Sequence, residues 1–119
     1  MTRKQMLIVE LAALSSPAET QLDQLRRLGD QAGVDELALD YDAIAAAGED
    51  MRQHSELTAA QCHAVQELNE YLKSISGATN GPLWTPEALF VAREWADVRR
   101  MASEALRLLS NGSRGANGI

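Results

Sequence analysis

The side chains that could bind a metal or act as a nucleophile are few in this sequence. Cys62 and His63 are neighbours, and His54 lies close before them. Adjacent residues on a helix point about 100° apart, so Cys62 and His63 do not face one ligand or form a nucleophilic pair. No CxxC or HxxxH spacing provides further zinc ligands. We therefore predict no metal, no cofactor and no catalytic residue here, with Cys62 in the core and His63 at the surface.

Residues 40–42 read Asp-Tyr-Asp, which is how a calcium-binding loop can begin. The later positions do not fit, because Ile44 stands at the next ligand position, Ala45 replaces the required glycine and Met51 replaces the bidentate glutamate. The sequence also has no glycine-rich phosphate loop and no nucleophile elbow. We therefore predict that the protein is not an enzyme and has no small-molecule substrate.

The formal net charge of −6 is concentrated in one segment. Residues 35–50 contain six acids and no Lys or Arg, which leaves 11 acids and 11 bases in the rest of the chain. The six acids are Asp35, Glu36, Asp40, Asp42, Glu49 and Asp50. Nucleic acids and anionic membranes attract basic surfaces, so this distribution argues against both as partners. It predicts a basic protein partner, and a helix face that is merely solvated stays open as the alternative.

The elements that position these acids are predicted to be helices. Of the 119 residues, 45% are hydrophobic and 4% aromatic, a composition that favours helices packed on helices. Predicted N-cap residues are Thr2, Ser16, Thr58 and Thr85. We predict an all-α fold, an antiparallel bundle of four or five helices in a single domain over residues 1–109, and a flexible C-terminal tail at 110–119. For residues 7–14 a short buried strand stays open.

All six acids fall on the third predicted helix, from about Asp35 to about Gln53. Its apolar seam comprises Val34, Leu37, Tyr41, Ile44, Gly48 and Met51. At about 100° per residue, the acids are predicted to lie on the opposite half of the helix. Gly48 lowers the helix propensity, so a kink or break is expected near it. Periodicity also leaves open a break in the last helix between Ala92 and Glu94.

Both tryptophans flank the clearest helix start in the chain. Thr85 has the side chain of an N-cap, and Pro86 suits the first helical position because the N–H that it lacks would be unpaired there. Large aromatic side chains usually fill the core of a protein that is otherwise rich in small residues. We therefore predict that Trp84 and Trp95 are substantially buried, against the apolar face of the helix that carries Cys62 and Ile75.

The compartment is predicted from cysteine usage and hydropathy. The single cysteine excludes an internal disulfide and is compatible with a reducing cytosol. No apolar run reaches the roughly 18 residues of a membrane span. Glu10 interrupts the apolar run at residues 6–9, which favours a retained helix over a signal peptide. We therefore expect a cytoplasmic protein.

One local pattern in the C-terminal half has a familiar form. It comprises residues 83–89 (LWTPEAL) and 95–102 (WADVRRMA), with Leu68, Leu72 and Gly77 upstream. The pattern resembles small helical immunity proteins of bacterial toxin systems, of the colicin type or of contact-dependent growth inhibition, over about residues 57–109. The resemblance implies a bacterial protein that binds a cognate toxin, often a nuclease, without catalysis.

Charge and resemblance together predict an immunity protein that neutralises its toxin by covering a basic active-site cleft with the acidic helix. The resemblance provides no binding residue, so the predicted toxin-binding residues are the six acids between Asp35 and Asp50. One alternative is a helical adaptor or regulatory module, including a homodimer, with a different basic partner. A second is a small helical enzyme or metal protein with carboxylates inside the bundle, but those carboxylates would have to project inward.

Overall fold

The computed structural model describes residues 1–29 and 33–117, with side chains described as far as Ser110. The helices are α1 (Arg3–Ser15), α2 (Ala18–Arg27), α3 (Asp35–Ala45), α4 (Gly48–Gln53), α5 (Ala59–Ser74), a 3₁₀ helix (Ala78–Leu83), α6 (Pro86–Val91) and α7 (Arg93–Asn117). No strand occurs within these ranges, so the predicted all-α fold is confirmed and the strand alternative at residues 7–14 is wrong.

Two helices begin at capping boxes that the sequence predicted. The Thr2 Oγ1 accepts the backbone N–H of Gln5 at 3.1 Å, and the Gln5 side chain accepts the backbone N–H of Thr2 at 2.8 Å. Thr58 and Gln61 make the same reciprocal pair at the start of α5, at 3.1 and 2.9 Å. Each box pairs two backbone N–H groups that a helix start leaves open, which is why these boundaries were predictable.

The predicted N-cap at Ser16 is wrong. Its hydroxyl donates to the carbonyl of Ala12 at 2.7 Å, so it ends α1, and α2 follows Pro17 without a side-chain cap. The corner is held from the other side by Gln21, whose amide donates to the carbonyl of Leu14 at 3.0 Å. Only Pro17 lies between Ser16, the C-cap of α1, and the first residue of α2. The Ser16 hydroxyl bonds the carbonyl end of α1 and leaves the N–H end of α2 without a side-chain cap.

The helix predicted over residues 35–53 is interrupted, as expected, beside Gly48. There α3 ends at Ala45 and α4 begins at Gly48. The side-chain amide of Gln66 donates to the Ala45 carbonyl at 3.1 Å, and a Cβ added to Gly48 would lie 2.7 Å from the same nitrogen. A second break separates α6 from α7, at the extended residue Ala92. These two breaks and the short α6 raise the helix number above the predicted four or five.

The core is centred on α7, which packs against α1 and α5, while α3 packs against the same two helices. Trp95 is fully buried, and its ring N–H donates to the carbonyl of Leu83 at 2.6 Å. Trp84 is half-buried, donates to the carbonyl of Ile75 at 2.8 Å and meets Trp95 edge to face, with ring centroids 5.3 Å apart. The prediction of burial therefore holds fully for Trp95 and in part for Trp84, and both satisfy their polar N–H.

Two further features bear on the predictions. The backbone of α7 is helical to Asn117, past the boundary at residue 110, and the flexibility of the predicted tail stays a prediction. None of the helices in the described ranges is both long enough and apolar enough to cross a membrane.

Candidate protein-binding surface

The inward seam of α3 is the one that the sequence predicted. Leu37, Tyr41 and Ile44 are buried, and the Tyr41 hydroxyl donates to the carbonyl of Val65 on α5 at 2.8 Å. The middle of the opposite face is apolar, because Leu39 is 55% exposed there. The acids of α3 lie on the two sides of this residue, so the outer face has an apolar centre between carboxylates.

On the α1 side, Glu36 and Asp40 flank Leu39. They line a depression of about 430 Å³ between α1, α2 and α3, together with Val9 and Glu10 of α1. Asp40 is exposed, while Glu36 is half-buried against the wall of the depression. Glu10 was not among the predicted site residues, since it lies 25 positions before Asp35 and belongs to a helix read only as core.

On the other side, Asp35 and Asp42 flank the same apolar centre. Asp35 is exposed and borders a depression of about 320 Å³ that also includes Leu39 and Trp84. Asp42 differs from the prediction, because it is half-buried and its Oδ1 accepts the side-chain N–H of Asn69 at 2.9 Å. The expectation that all six acids face away from the bundle is therefore wrong for Asp42, which turns toward α5.

The two acids of α4 are paired with bases. Arg52 donates from Nε to both carboxylate oxygens of Glu49, at 3.0 and 3.1 Å. These hydrogen bonds lower the pKa of Glu49 to about 2, since they favour the charged form. Arg52 lies three residues after Glu49 and just beyond the base-free segment 35–50, so helical spacing alone could have identified this pair.

Asp50 is held by a base from the other end of the chain. Arg3 donates from Nη1 to Asp50 at 2.8 Å and from Nε to Glu56 at 3.2 Å, and a second guanidinium nitrogen also contacts Glu56. Hydrogen bonds from Arg3 are the main cause that lowers the pKa of both carboxyls. The start of α1 is thereby tied to α4, and the acid excess of the segment is partly neutralised.

The six predicted site residues thus divide into two groups. Glu49 and Asp50 form ion pairs, whereas none of the ion pairs found among the described residues involves an acid of α3. The acids of α3 are Asp35, Glu36, Asp40 and Asp42. These four carboxylates and Leu39 make up the surface that we call the α3 face; three of the carboxylates are open, while that of Asp42 is bonded to Asn69. The α3 face is built to attract cations over a surface, and its apolar centre can exclude water.

The residues first considered for chemistry do not come together. Cys62 is buried, its thiol lies 3.7 Å from the Glu49 carboxylate, and burial is the main cause that raises its pKa. His63 is exposed beside Glu67, and His54 is exposed at the end of α4. Among the residues that the structure describes, no three His, Cys, Asp or Glu side chains are grouped so that they could hold a metal ion. A thiol whose pKa is raised is a poor nucleophile, because the thiolate is the reactive form.

Comparison of the chain with protein-family models, with curated proteins and with solved structures found no match. The resemblance of residues 57–109 to immunity proteins therefore stays a prediction.

Proposed function

We propose that this protein acts by binding, without catalysis, and that the α3 face receives a basic surface of another protein. Its most concrete form is an immunity protein that neutralises a cognate bacterial toxin, as the pattern at residues 83–102 implies. The observation that carries the proposal is the α3 face itself. It combines four carboxylates that form no ion pair among the described residues with an exposed leucine, Leu39, at their centre.

The arrangement has the chemistry of a recognition surface. In protein interfaces an apolar centre that becomes dry contributes most of the affinity, and a charged rim contributes specificity and speed of association. On the α3 face, Leu39 would provide the centre and the carboxylates the rim. A nuclease binds its substrate through a basic cleft, so a protein that presents ordered carboxylates can occupy this cleft in place of phosphates.

The proposal predicts that the gene beside that of this chain encodes a toxin, and it is tested by co-expression with that gene. The α3-face variant reverses three acids to lysine, as Asp35→Lys, Glu36→Lys and Asp40→Lys. Asp42 is left unchanged because it bonds Asn69. We expect wild type to protect cells and the variant to lose protection. We also expect its association rate at low salt to fall roughly 10- to 1,000-fold, since steering by opposite charges is lost.

A matched control reverses three exposed acids elsewhere, as Glu19→Lys, Glu70→Lys and Glu87→Lys. It has the same net charge as the α3-face variant, and in both variants two of the acids lie in a first helical turn. This control is expected to protect, because it leaves the α3 face intact. If the α3-face variant protects as well as wild type, the α3 face is only solvated surface. If wild type itself neither binds nor protects, the protein is not the immunity partner, and the adaptor alternative takes its place.

A further inference from the structure

A groove lies along α1 and α3, beside the α3 face. It consists of two adjoining depressions of about 430 and 330 Å³, which share Val9, Glu10 and Asp40 as walls. The larger one reaches Leu28, the C-cap of α2, and the smaller one reaches the start of the chain at Met1. The groove therefore extends along the contact of two helices and has the shape in which one more helix could lie.

Several apolar side chains on the walls of the groove are exposed. Met6 is 44% exposed and Val9 is 50% exposed, and Leu28 is exposed at the other end. Ala43 and Ile44 of α3 continue the apolar surface on the opposite wall. Exposed apolar residues that line one groove, with acids among them, are typical of a site where an amphipathic partner is bound.

The charges in the groove have one sign. Among the described residues that line it, the side chains include three acids, Glu10, Glu36 and Asp40, and no Lys or Arg. Glu10 is half-buried, and loss of solvent, followed by the charge of Asp40, raises its pKa. An incoming cation would offset the loss of solvent and the repulsion from Asp40, because it places an opposite charge beside the Glu10 carboxylate.

We propose that this groove binds an amphipathic helix of the basic partner, with an Arg or Lys side chain between Glu10 and Asp40 and its apolar neighbours on Met6 and Val9. The inference rests on the proposed function, since it names the element of that partner that lies beside the α3 face. Arginine suits this place because its guanidinium donates to two carboxylates at once and tolerates partial burial.

A helix is the form of partner that the walls require. Both walls are helices whose backbone groups are already paired, so an extended peptide would find no edge with which to form a ladder. A second copy of this chain is a poor occupant, because it would bring the same acidic walls against each other. Like charges in a dry contact cost free energy, whereas a basic helix meets an opposite charge.

The test uses the full-length, isotope-labelled chain and a synthetic probe, so it does not depend on the toxin. The probe is an alanine-based helical peptide of about 16 residues that carries one Arg, with leucines on the same face three and four residues away. The control peptide has Gln in place of the Arg. We expect saturable chemical-shift changes at Met6, Val9, Glu10, Asp40 and Ala43. We expect the Gln peptide to bind about tenfold more weakly, since it lacks the charge.

Two variants locate the binding in the groove. Glu10→Gln with Asp40→Asn removes the charges at nearly constant shape and is expected to weaken binding of the Arg peptide about tenfold. Its control, Glu70→Gln with Glu87→Gln, removes two charges from α5 and α6 and is expected to bind like wild type. Val9→Asn tests the apolar wall at a half-exposed site that does not threaten folding, and it is also expected to weaken binding.

Four results would overturn the inference: shifts spread over the whole surface, no saturable shift at all, equal binding of the Gln peptide, or groove signals that change with protein concentration alone. The last result would identify a second copy as the occupant. The outcome is independent of the toxin experiment. Groove binding without toxin protection would refute the immunity function and keep the groove, and toxin protection without groove binding would do the reverse.

Discussion

The acids of α3 and the acids of α4 are neighbours in the sequence, yet the structure gives them different surroundings. Glu49 of α4 is paired with Arg52 of the same helix, and Asp50 is paired with Arg3 at the start of the chain. The acids of α3 have no such partner among the described residues and surround an exposed leucine. An acid in the sequence can therefore form an ion pair within the protein or stay open for a partner, and the position of the nearest base decides which.

The difference also has an energetic side. Like charges on one helix face repel each other, and α3 carries this repulsion without an internal base. Asp35 and Glu36 stand in the first turn of α3, where the helix dipole favours a negative charge and offsets part of the cost. In α4 the same kind of charge ties α1 to the bundle. We therefore expect changes at the acids of α4 to alter stability, and changes at Asp35, Glu36 and Asp40 of α3 to alter binding.

The largest effect is expected from a change in the hydrophobic core, to which both α3 and α4 contribute. Trp95→Ala removes a fully buried side chain of α7 and should lower the free energy of unfolding by roughly 3–5 kcal/mol. Chemical denaturation measures the loss. Val91→Ala, at an exposed residue on α6, is the control and should stay within about 0.5 kcal/mol of wild type. A loss below about 1 kcal/mol for Trp95→Ala would show that the core is not organised around this residue.

A smaller effect is expected at Asp42, the acid of α3 that contacts α5. Asp42→Ala leaves the amide of Asn69, a buried residue, without its acceptor and should cost roughly 1–3 kcal/mol. Asp42→Asn retains an oxygen at this position and should cost less. The two denaturation midpoints decide the matter. Equal stability of both variants and wild type would show that the bond from Asn69 to Asp42 does not stabilise the fold.

The smallest effect concerns the ion pairs of α4 and depends on pH. The folded pKa values of Asp50 and Glu56 lie below their ordinary values because of Arg3, so their stabilisation is present above the ordinary carboxyl pKa and is lost as the pH falls through the folded values. Arg3→Gln should melt below wild type at about pH 7, and the difference should shrink toward about pH 3. Melting curves at both pH values measure it, and a difference that does not change with pH would contradict the assignment.

The parts of the fold that sequence could predict are those with local causes. The reciprocal bonds at Thr2 and Thr58 involve residues three positions apart, so residue type and spacing were sufficient. The N-cap of α2 was mistaken because the hydroxyl of Ser16 could bond a backbone group of either helix, and it donates to the Ala12 carbonyl of α1. The break before Gly48 was expected from helix propensity, but the amide of Gln66 that bonds the Ala45 carbonyl there lies on another helix.

The candidate site shows the same difference between local contacts, which the sequence predicts, and contacts between distant residues, which it does not. The periodicity of α3 correctly placed Leu37, Tyr41 and Ile44 inside, and it therefore placed most of the acids outside. It could not show that Arg3, 47 residues before Asp50, closes one acid, or that Glu10 lies against Asp40. Contacts between residues distant in the chain have no signature in a single sequence. For this reason the acids other than Glu49, whose pairing with Arg52 follows from helical spacing, looked equivalent.

The central claim is that the α3 face, and not α4, meets the basic partner. Two matched variants test it, because Glu36→Gln with Asp40→Asn and Glu49→Gln with Asp50→Asn each remove one glutamate and one aspartate charge. The measurement is the association rate with the toxin domain at low and high salt. We predict a fall of roughly 3- to 30-fold at low salt for the α3 pair, with a weaker salt dependence, and a change below about twofold for the α4 pair. Equal rates for the two variants, or a larger fall for the α4 pair, would contradict the account.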